Sequence, residues 1–348
     1  MKKAVVFYRW ILLAVLFQFG VLFYLNNIFL NPDREVNITK SDNDKQIRVN
    51  TGDFKVDENA EQVKLSFNGR FCGYLIDGEL HIINVETKSD KKIVSNKKDK
   101  ITYFKWLPDR DMVIYSTNTH DGAKGKIQIS TYEADSETKR DYPLIEGLSS
   151  ASSIQDIELS PYTNIVYAQI KTSEQKSKLV SFNIMSQYSS IMTFPSDTII
   201  KECTYVNKLF YNNPGQTLYV YDGNTKVKNK VSVDQKATVL LDVDDEDTLY
   251  LGKLDSNKLV TSILKQKVTD KKLTQNWEEI KLVEGVAKEN IVISKTGKIY
   301  INYKDENKIV NVENGLKASY RGEFIELLDG LLVSKDANKI NVITLKEY

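Results

Sequence analysis

Cysteine, histidine and proline are the scarce residues of this chain: 348 residues hold two Cys, two His and six Pro. Two cysteines cannot staple a domain, so the body must rest on its own hydrophobic core and not on a disulfide framework. Cys72 and Cys203 each sit in an apolar strand pattern and read as small buried residues, unlinked. His81 and His120 are too few and too scattered for a zinc site without carboxylate help. Charge of one sign is lacking as well. The 48 Lys and Arg balance 47 Asp and Glu to a net charge of +1, so no broad field points to nucleic acid, and no nucleic-acid partner is expected. There is no Gly-rich phosphate loop, no GxSxG elbow and no Cys–His spacing of a nucleophilic pair. No cofactor and no catalytic residue is assigned. Lys far outnumbers Arg, and Lys, Asn, Asp and Ile are abundant, the usage of an AT-rich bacterial coding sequence.

What the chain does have is one long hydrophobic run. AVVFYRWILLAVLFQFGVLFYL, residues 4–25, carries one ionisable side chain near its start and no proline, and reads as a membrane span. Lys2, Lys3 and Arg9 precede its centre while Asp33 and Glu35 follow it, so the positive-inside bias places the N-terminus in the cytoplasm and the body outside. A cleaved secretory signal has a similar beginning. The run is longer than the usual signal core of about 7–15 residues, and its exit, YLNNIFLNPDRE, shows no small-x-small cleavage site. The reading is therefore a single-pass anchor in the cell membrane over residues 1–30, a polar stalk over 31–62 and an extracytoplasmic domain over 63–348.

The stalk is polar and charged, with short β-like islands at 46–49 and 54–56. After residue 62 the hydrophobic period is 2, in short β-branched and aromatic runs broken by Asn, Asp, Gly and Lys turns, and no long segment has a helical period. The pattern repeats. LSFNGRFCGYLIDGELHIINVETK (65–88) is strand, turn, strand, tight turn, strand; related units begin at Phe104, Ile157, Thr204, Leu240, Val292 and Glu326. Seven units spaced by roughly 35–55 residues predict an all-β β-propeller, because one small twisted sheet cannot cover both of its own faces. The last unit has room for about three strands, one short of a blade, and the island at 46–49 or at 54–56 can supply the fourth.

The turns FNGR, LPDRD, SPYTN and SKTGK, each between an apolar strand and a strand bearing Tyr or Phe, resemble the S-P-D-G-K hairpin of TolB-type and dipeptidyl-peptidase-type WD40-like propellers. The match is carried by residues 65–74, 105–115, 159–167 and 293–300. The units at Thr204, Leu240 and Glu326 depart from it, which leaves six or eight blades open beside seven. The resemblance implies a fold, and a binding platform more than an enzyme.

Candidate chemistry is sparse. Asp242, Asp244, Asp245, Glu246 and Asp247 offer the hard oxygen ligands that calcium prefers, but without the Gly and terminal Glu of an EF-hand loop; a solvated hairpin turn is the simpler account. His81 reads as a half-buried strand residue and His120 as a loop residue. Tyr219, Tyr250 and Tyr300 occupy strand positions suited to packing between blades, and Trp277 has the best claim to a surface role. Two functional classes follow. One is an interaction module tethered to the membrane, binding a protein or a cell-envelope polymer. The other is an extracytoplasmic hydrolase or lyase whose site would lie at the propeller axis, and which needs acids with His or Tyr on the innermost strands.

Overall fold

The computed structural model of the chain describes Trp10, Leu13, Val15, residues 17–22 and residues 53–345, the latter without 95–98, 184, 186, 214, 234–236, 270–276 and 329. Residues 1–48 and 49–348 form two separate compact units. In the first, the described residues are helical. Among the described residues no helix is long and apolar enough to cross a membrane. The rest of the apolar run, the 31–52 part of the predicted stalk and the island at 46–49 lie outside the described residues.

The second unit is a seven-bladed β-propeller, with twenty-nine strands among the described residues. Its first strand, β1 (Phe54–Lys55), is discussed with the last blade. Blade 1 is β2 (Glu61–Leu65), β3 (Phe71–Ile76), β4 (Glu79–Asn84) and β5 (Asp90–Ile93). Blade 2 is β6 (Lys100–Trp106), β7 (Met112–Asp121) and β8 (Lys124–Glu133), with β9 (Thr138–Asp141) and β10 (Ile145–Ser149) both pairing with β8. Blade 3 runs through β11 (Ser153–Ser160), β12 (Ile165–Ser173), β13 (Lys176–Asn183) and β14 (Tyr188–Pro195). Blade 4 is β15 (Ile199–Glu202), β16 (Lys208–Asn212), β17 (Tyr219–Asp222) and β18 (Val227–Lys230). Blade 5 is β19 (Thr238–Val243), β20 (Thr248–Leu254), β21 (Val260–Lys267) and β22 (Glu278–Val286). Blade 6 is β23 (Ile291–Ile293), β24 (Ile299–Tyr303), β25 (Lys308–Asn311) and β26 (Lys317–Ser319). Blade 7 has β27 (Glu323–Leu328), β28 (Leu331–Asp336) and β29 (Lys339–Thr344), and β1 is its fourth strand, with Phe54 opposite Ile340 and Lys55 opposite Lys339.

The first strand of each blade lies innermost. β2 touches β27 and β6, β6 touches β11, and the contacts pass on through β15 and β19 to β23. The apolar core is divided into seven clusters, one between each pair of neighbouring blades. Strand alternation explains the division. On β7, Val113 and Tyr115 face blade 1 while Ile114 faces blade 3; on β20, Leu249 and Leu251 face blade 4 while Tyr250 faces blade 6. A second strand must therefore be apolar on both sides, which is the source of the Ile–Tyr and Leu–Tyr pairs in the sequence. Each such side chain contributes about 1.5–3 kcal/mol of burial. Gly73 marks a close approach: a Cβ there would lie 2.8 Å from Phe104 Cε2 of blade 2.

The turns between third and fourth strands share one device. The Oδ1 atoms of Asn84, Asp222 and Asn311 each accept the backbone N–H groups two and three residues ahead. Asn183 Oδ1 accepts from Met185 and Gln187. In the Asn84, Asp222 and Asn311 turns the left-handed position is taken by Lys88, Lys226 and Gly315 respectively.

The fourth blade corrects the reading of the sequence. Its innermost strand is β15, upstream of Thr204, and residues 204–206 are the turn that follows it. IIKE is short and carries two charges, so it does not look like a strand. Cys72 and Cys203 are buried, unlinked and in blades 1 and 4.

Candidate functional site

At one register position of the innermost strand, six of the seven blades carry a charge. Lys64, Lys105, Glu158, Lys201, Asp242 and Glu326 sit opposite Gly73, Ile114, Tyr167, Phe210, Tyr250 and Val333 of the adjoining second strands, and Val292 opposite Tyr300 fills the seventh place. The side chains link around the axis. Lys105 Nζ lies 3.0 Å from Glu158 Oε1 and 3.6 Å from Asp156 Oδ1. Lys201 Nζ is 3.4 Å from the same Glu158 Oε1 and 3.3 Å from Asp242 Oδ1. Lys64 Nζ and Glu326 Oε2 are 3.6 Å apart, and Glu326 Oε1 accepts a 2.7 Å hydrogen bond from the Leu65 backbone N–H. Tyr103 Oη donates to Asp156 Oδ1 at 3.1 Å, and Lys105 Nζ donates to the Ile157 carbonyl at 2.6 Å.

Burial and pairing set the charge states. For Lys105 burial opposes the ammonium, but Asp156 and Glu158 outweigh it and hold its pKa well above the ordinary lysine value. Lys201 behaves alike, raised by Asp242 and Glu158 against burial. Burial pushes the Glu158 carboxyl up despite the pull of Lys105 and Lys201, and pushes Glu326 up despite Lys64. Glu202, beside the ring on β15, is raised well above the ordinary carboxylate range by burial and by the neighbouring Glu158. The Thr163 hydroxyl donates to its Oε1 at 3.2 Å. Glu202 Oε2 is buried and has no hydrogen-bond partner among the described residues.

Lys64, Lys105, Glu158, Glu202 and Glu326 line a cavity of about 500 Å³ whose lining also includes residues of the turns between first and second strands, Phe67, Pro108, Thr204, Asp245 and Lys295. Phe67, Trp106, Leu107, Leu159 and Leu328 form its apolar wall, and Lys64, Lys105, Glu158, Glu202, Asp245, Lys295 and Glu326 its charged lining. Trp106 Nε1 is anchored on the Lys64 carbonyl at 3.1 Å. Lys295, from blade 6, spans to blade 2 and donates to the Pro108 carbonyl at 2.8 Å. In the turns that follow β11 and β15, Tyr162 and Tyr205, the latter next to the cavity-lining Thr204, hold their rings 4.5 Å apart at 42°, and are 52% and 49% exposed.

The acidic cluster read from the sequence does not converge. Asp242 joins the axial ring and Asp245 lines the cavity. Asp244 accepts from the backbone N–H of Glu246 and Thr248 at 3.0 and 2.7 Å, and from Tyr250 Oη at 2.9 Å. Asp247 reaches into blade 4, where its carboxylate accepts the backbone N–H groups of Thr204, Tyr205 and Val206. Among the described residues no three His, Cys, Asp or Glu side chains are grouped to hold a metal ion.

Other candidates fall away from the axis. His81 lies on β4, 3.0 Å from Asp90 Oδ2 and stacked on Tyr74. His120 stands in β7 near its exposed hairpin end, not in a loop. Tyr250 and Tyr300 are buried between blades, but Tyr219 is 39% exposed and stacks on Tyr211. Trp277 packs against the core between blades 4 and 5 and is not a free surface ring. The residues that the sequence reading missed are Lys64, Lys105, Glu158, Lys201, Glu202 and Glu326. The available signal was a charge set among apolar neighbours in five of the first strands, alone in VKL, FKW, IEL and FIELL and doubled in IKEC.

No protein-family model matches the chain, and no curated protein sequence matches it. Solved structures do. The β-propeller domain of Myceliophteria thermophila Cps50 (Swd1) superposes with a TM-score of 0.55 at 14% identity, covering 85% of this chain and 100% of that one. The β-propeller domain of the trilobed protease from Pyrococcus furiosus gives 0.56 at 12% identity, covering 85% and 97%. TolB from Acinetobacter baumannii gives 0.45 at 13% identity, covering 73% and 64%. At such identities the likeness is one of fold. The Pyrococcus domain is described as having an open velcro topology, whereas here β1 and β29 close the last blade.

Proposed function

We propose that the chain is a membrane-anchored β-propeller whose body lies outside the cytoplasm and binds a protein or cell-envelope polymer at its axial face. The observation that carries the binding role is the axial cavity, a concave site with apolar walls and a few placed charges, together with the exposed Tyr162–Tyr205 pair on the turns after the innermost strands of blades 3 and 4. Paired exposed tyrosines give large contact area at small entropic cost. The anchor rests on the apolar run at 4–25 and on the helical state of its described residues.

Protease added to intact spheroplasts should digest the body, and a carbonate wash should leave the chain in the membrane fraction. Capture of envelope components by the full chain in mild detergent should be lost in a Tyr162→Ser/Tyr205→Ser variant. Capture unchanged by that variant would place the binding surface elsewhere. A second reading, an axial hydrolase or lyase, draws on one observation: a Glu202 carboxyl that lines a cavity and whose pKa burial raises well above the ordinary carboxylate range has the character of a general acid. Turnover of an envelope glycan or peptide that Glu202→Gln abolishes would establish it.

A further inference from the structure

The axial site is short of positive charge. Around the ring and the cavity it lines stand six acids, Asp156, Glu158, Glu202, Asp242, Asp245 and Glu326, and four lysines, Lys64, Lys105, Lys201 and Lys295. Glu158 is shared by two lysines and Asp242 is paired with Lys201. Glu202 is 7% exposed, lines the cavity and has a buried Oε2 without a hydrogen-bond partner among the described residues. A buried polar atom left so costs about 1–3 kcal/mol, a penalty that a ligand group can remove.

We infer that the axial cavity receives one cationic group, an ammonium or guanidinium on an apolar stem, which pairs with Glu202 Oε2 while its stem lies against Phe67, Trp106 and Leu159. This rests on the reading of the axial face as the binding face. An anion is disfavoured, because even with Glu202 uncharged the other five acids outnumber the four lysines. The volume, about 500 Å³, is ample for a Lys or Arg side chain and lies in the range of small-ligand pockets. Because burial raises the Glu202 pKa, pairing with a cation favours the carboxylate, and at a pH where the carboxyl still holds its proton that proton leaves to solvent as the ammonium or guanidinium arrives. The groups facing that carboxyl are Glu158 of β11, Lys105 of β6, the Thr163 hydroxyl and Asp247. Lys201 is its neighbour on β15. Affinity should accordingly rise by up to about tenfold per pH unit below the Glu202 titration.

The test is calorimetric titration of the full chain in detergent with N-α-acetyl-lysine amide and N-α-acetyl-arginine amide, against N-α-acetyl-norleucine amide, which keeps the stem and lacks the charge. The expected result is that a cationic probe binds at least about tenfold more tightly than the norleucine probe, with an enthalpy that varies with buffer ionisation. Glu202→Gln should remove that preference. Equal binding of the norleucine probe, or a preference that survives Glu202→Gln, would overturn the inference, as would no binding by any probe. A second arm separates the sources of the cation: agmatine against a Gly-Gly-Arg-Gly-Gly peptide, the tighter binder showing whether a free amine or a protein side chain fits. Envelope capture run in parallel keeps the two readings apart. Capture lost with Tyr162→Ser/Tyr205→Ser but unchanged in Glu202→Gln would sink the cation while leaving the binding face.

Discussion

Phe54 lies opposite Ile340, and through that pair a two-residue strand completes the blade formed by the other end of the propeller. Phe54 is 3% exposed and packs in the cluster that joins blades 7 and 1. The pairing covers one edge and seats a large ring where the circle closes.

Removing that ring is expected to cost stability at the seam. Phe54→Ala should lower unfolding free energy by about 3 kcal/mol, read by chemical denaturation. A chain begun at Asn43 should stay folded and monomeric, whereas one begun at Glu61 should aggregate, with the amides of β27–β29 losing exchange protection first. Equal melting of the two truncated chains would mean that β1 contributes nothing to closure.

Breaking the axial ring at Lys201, which bridges Glu158 of blade 3 and Asp242 of blade 5, should also be costly. Lys201→Met leaves Glu158 and Asp242 without their shared cation, and about 2 kcal/mol should be lost, less than for a fully buried pair because the axis is open to water at the cavity. Double-mutant cycles with Glu158→Gln should show coupling; strict additivity would show that the ring is only a row of independent charges.

The Glu202 carboxyl gives a pH dependence of definite sign. Its folded pKa is raised above the ordinary 4.5, so the folded state holds the proton more tightly than the unfolded chain. Its stabilising contribution is full below the unfolded value and declines as pH rises toward the folded one. Glu202→Gln, which cannot ionise, should therefore gain in Tm relative to the parent between pH 4.5 and pH 7. A constant difference across that range would rule out a raised carboxyl.

Asp247 is expected to act as a clamp between blades 4 and 5. Its carboxylate takes three successive backbone N–H groups and its own φ is +59°, so Asp247→Ala should cost about 3 kcal/mol. Calcium should leave the Tm of the parent chain unchanged. A calcium-dependent rise in Tm that Asp244→Asn abolishes would restore the metal reading of that acidic cluster.

Neither thiol should react in the native state. Burial pushes the Cys72 and Cys203 pKa values up, Cys203 further under the influence of Asp247, so iodoacetamide should label both only after unfolding, as read by mass spectrometry.

The architecture was legible because every blade repeats one physical problem. A second strand buried on both faces writes itself as an apolar run with Tyr, as at Ile114–Tyr115, and the flanking turns as Asn, Asp and Gly. The site was less legible. Lys105 and Glu158 look in sequence like ordinary outward strand residues, since period-2 alternation does not distinguish a side chain facing solvent from one facing the axis. Lys201 and Glu202 were hidden by strand brevity: β15 has four residues, two of them charged. Asp247 was visible as an acid, but its destination, the turn at 204–206, is set by the neighbouring blade.

Site-specific photo-crosslinking tests the central claim, that the axial face is where this propeller meets its partner. With a benzophenone amino acid at Tyr205, next to the cavity-lining Thr204, and in parallel at Tyr188 on β14, the outermost strand of blade 3, irradiation of intact cells should give a discrete higher-mass adduct from position 205 and none from 188. An adduct from 188 alone, or from neither position while the chain is folded, would contradict it.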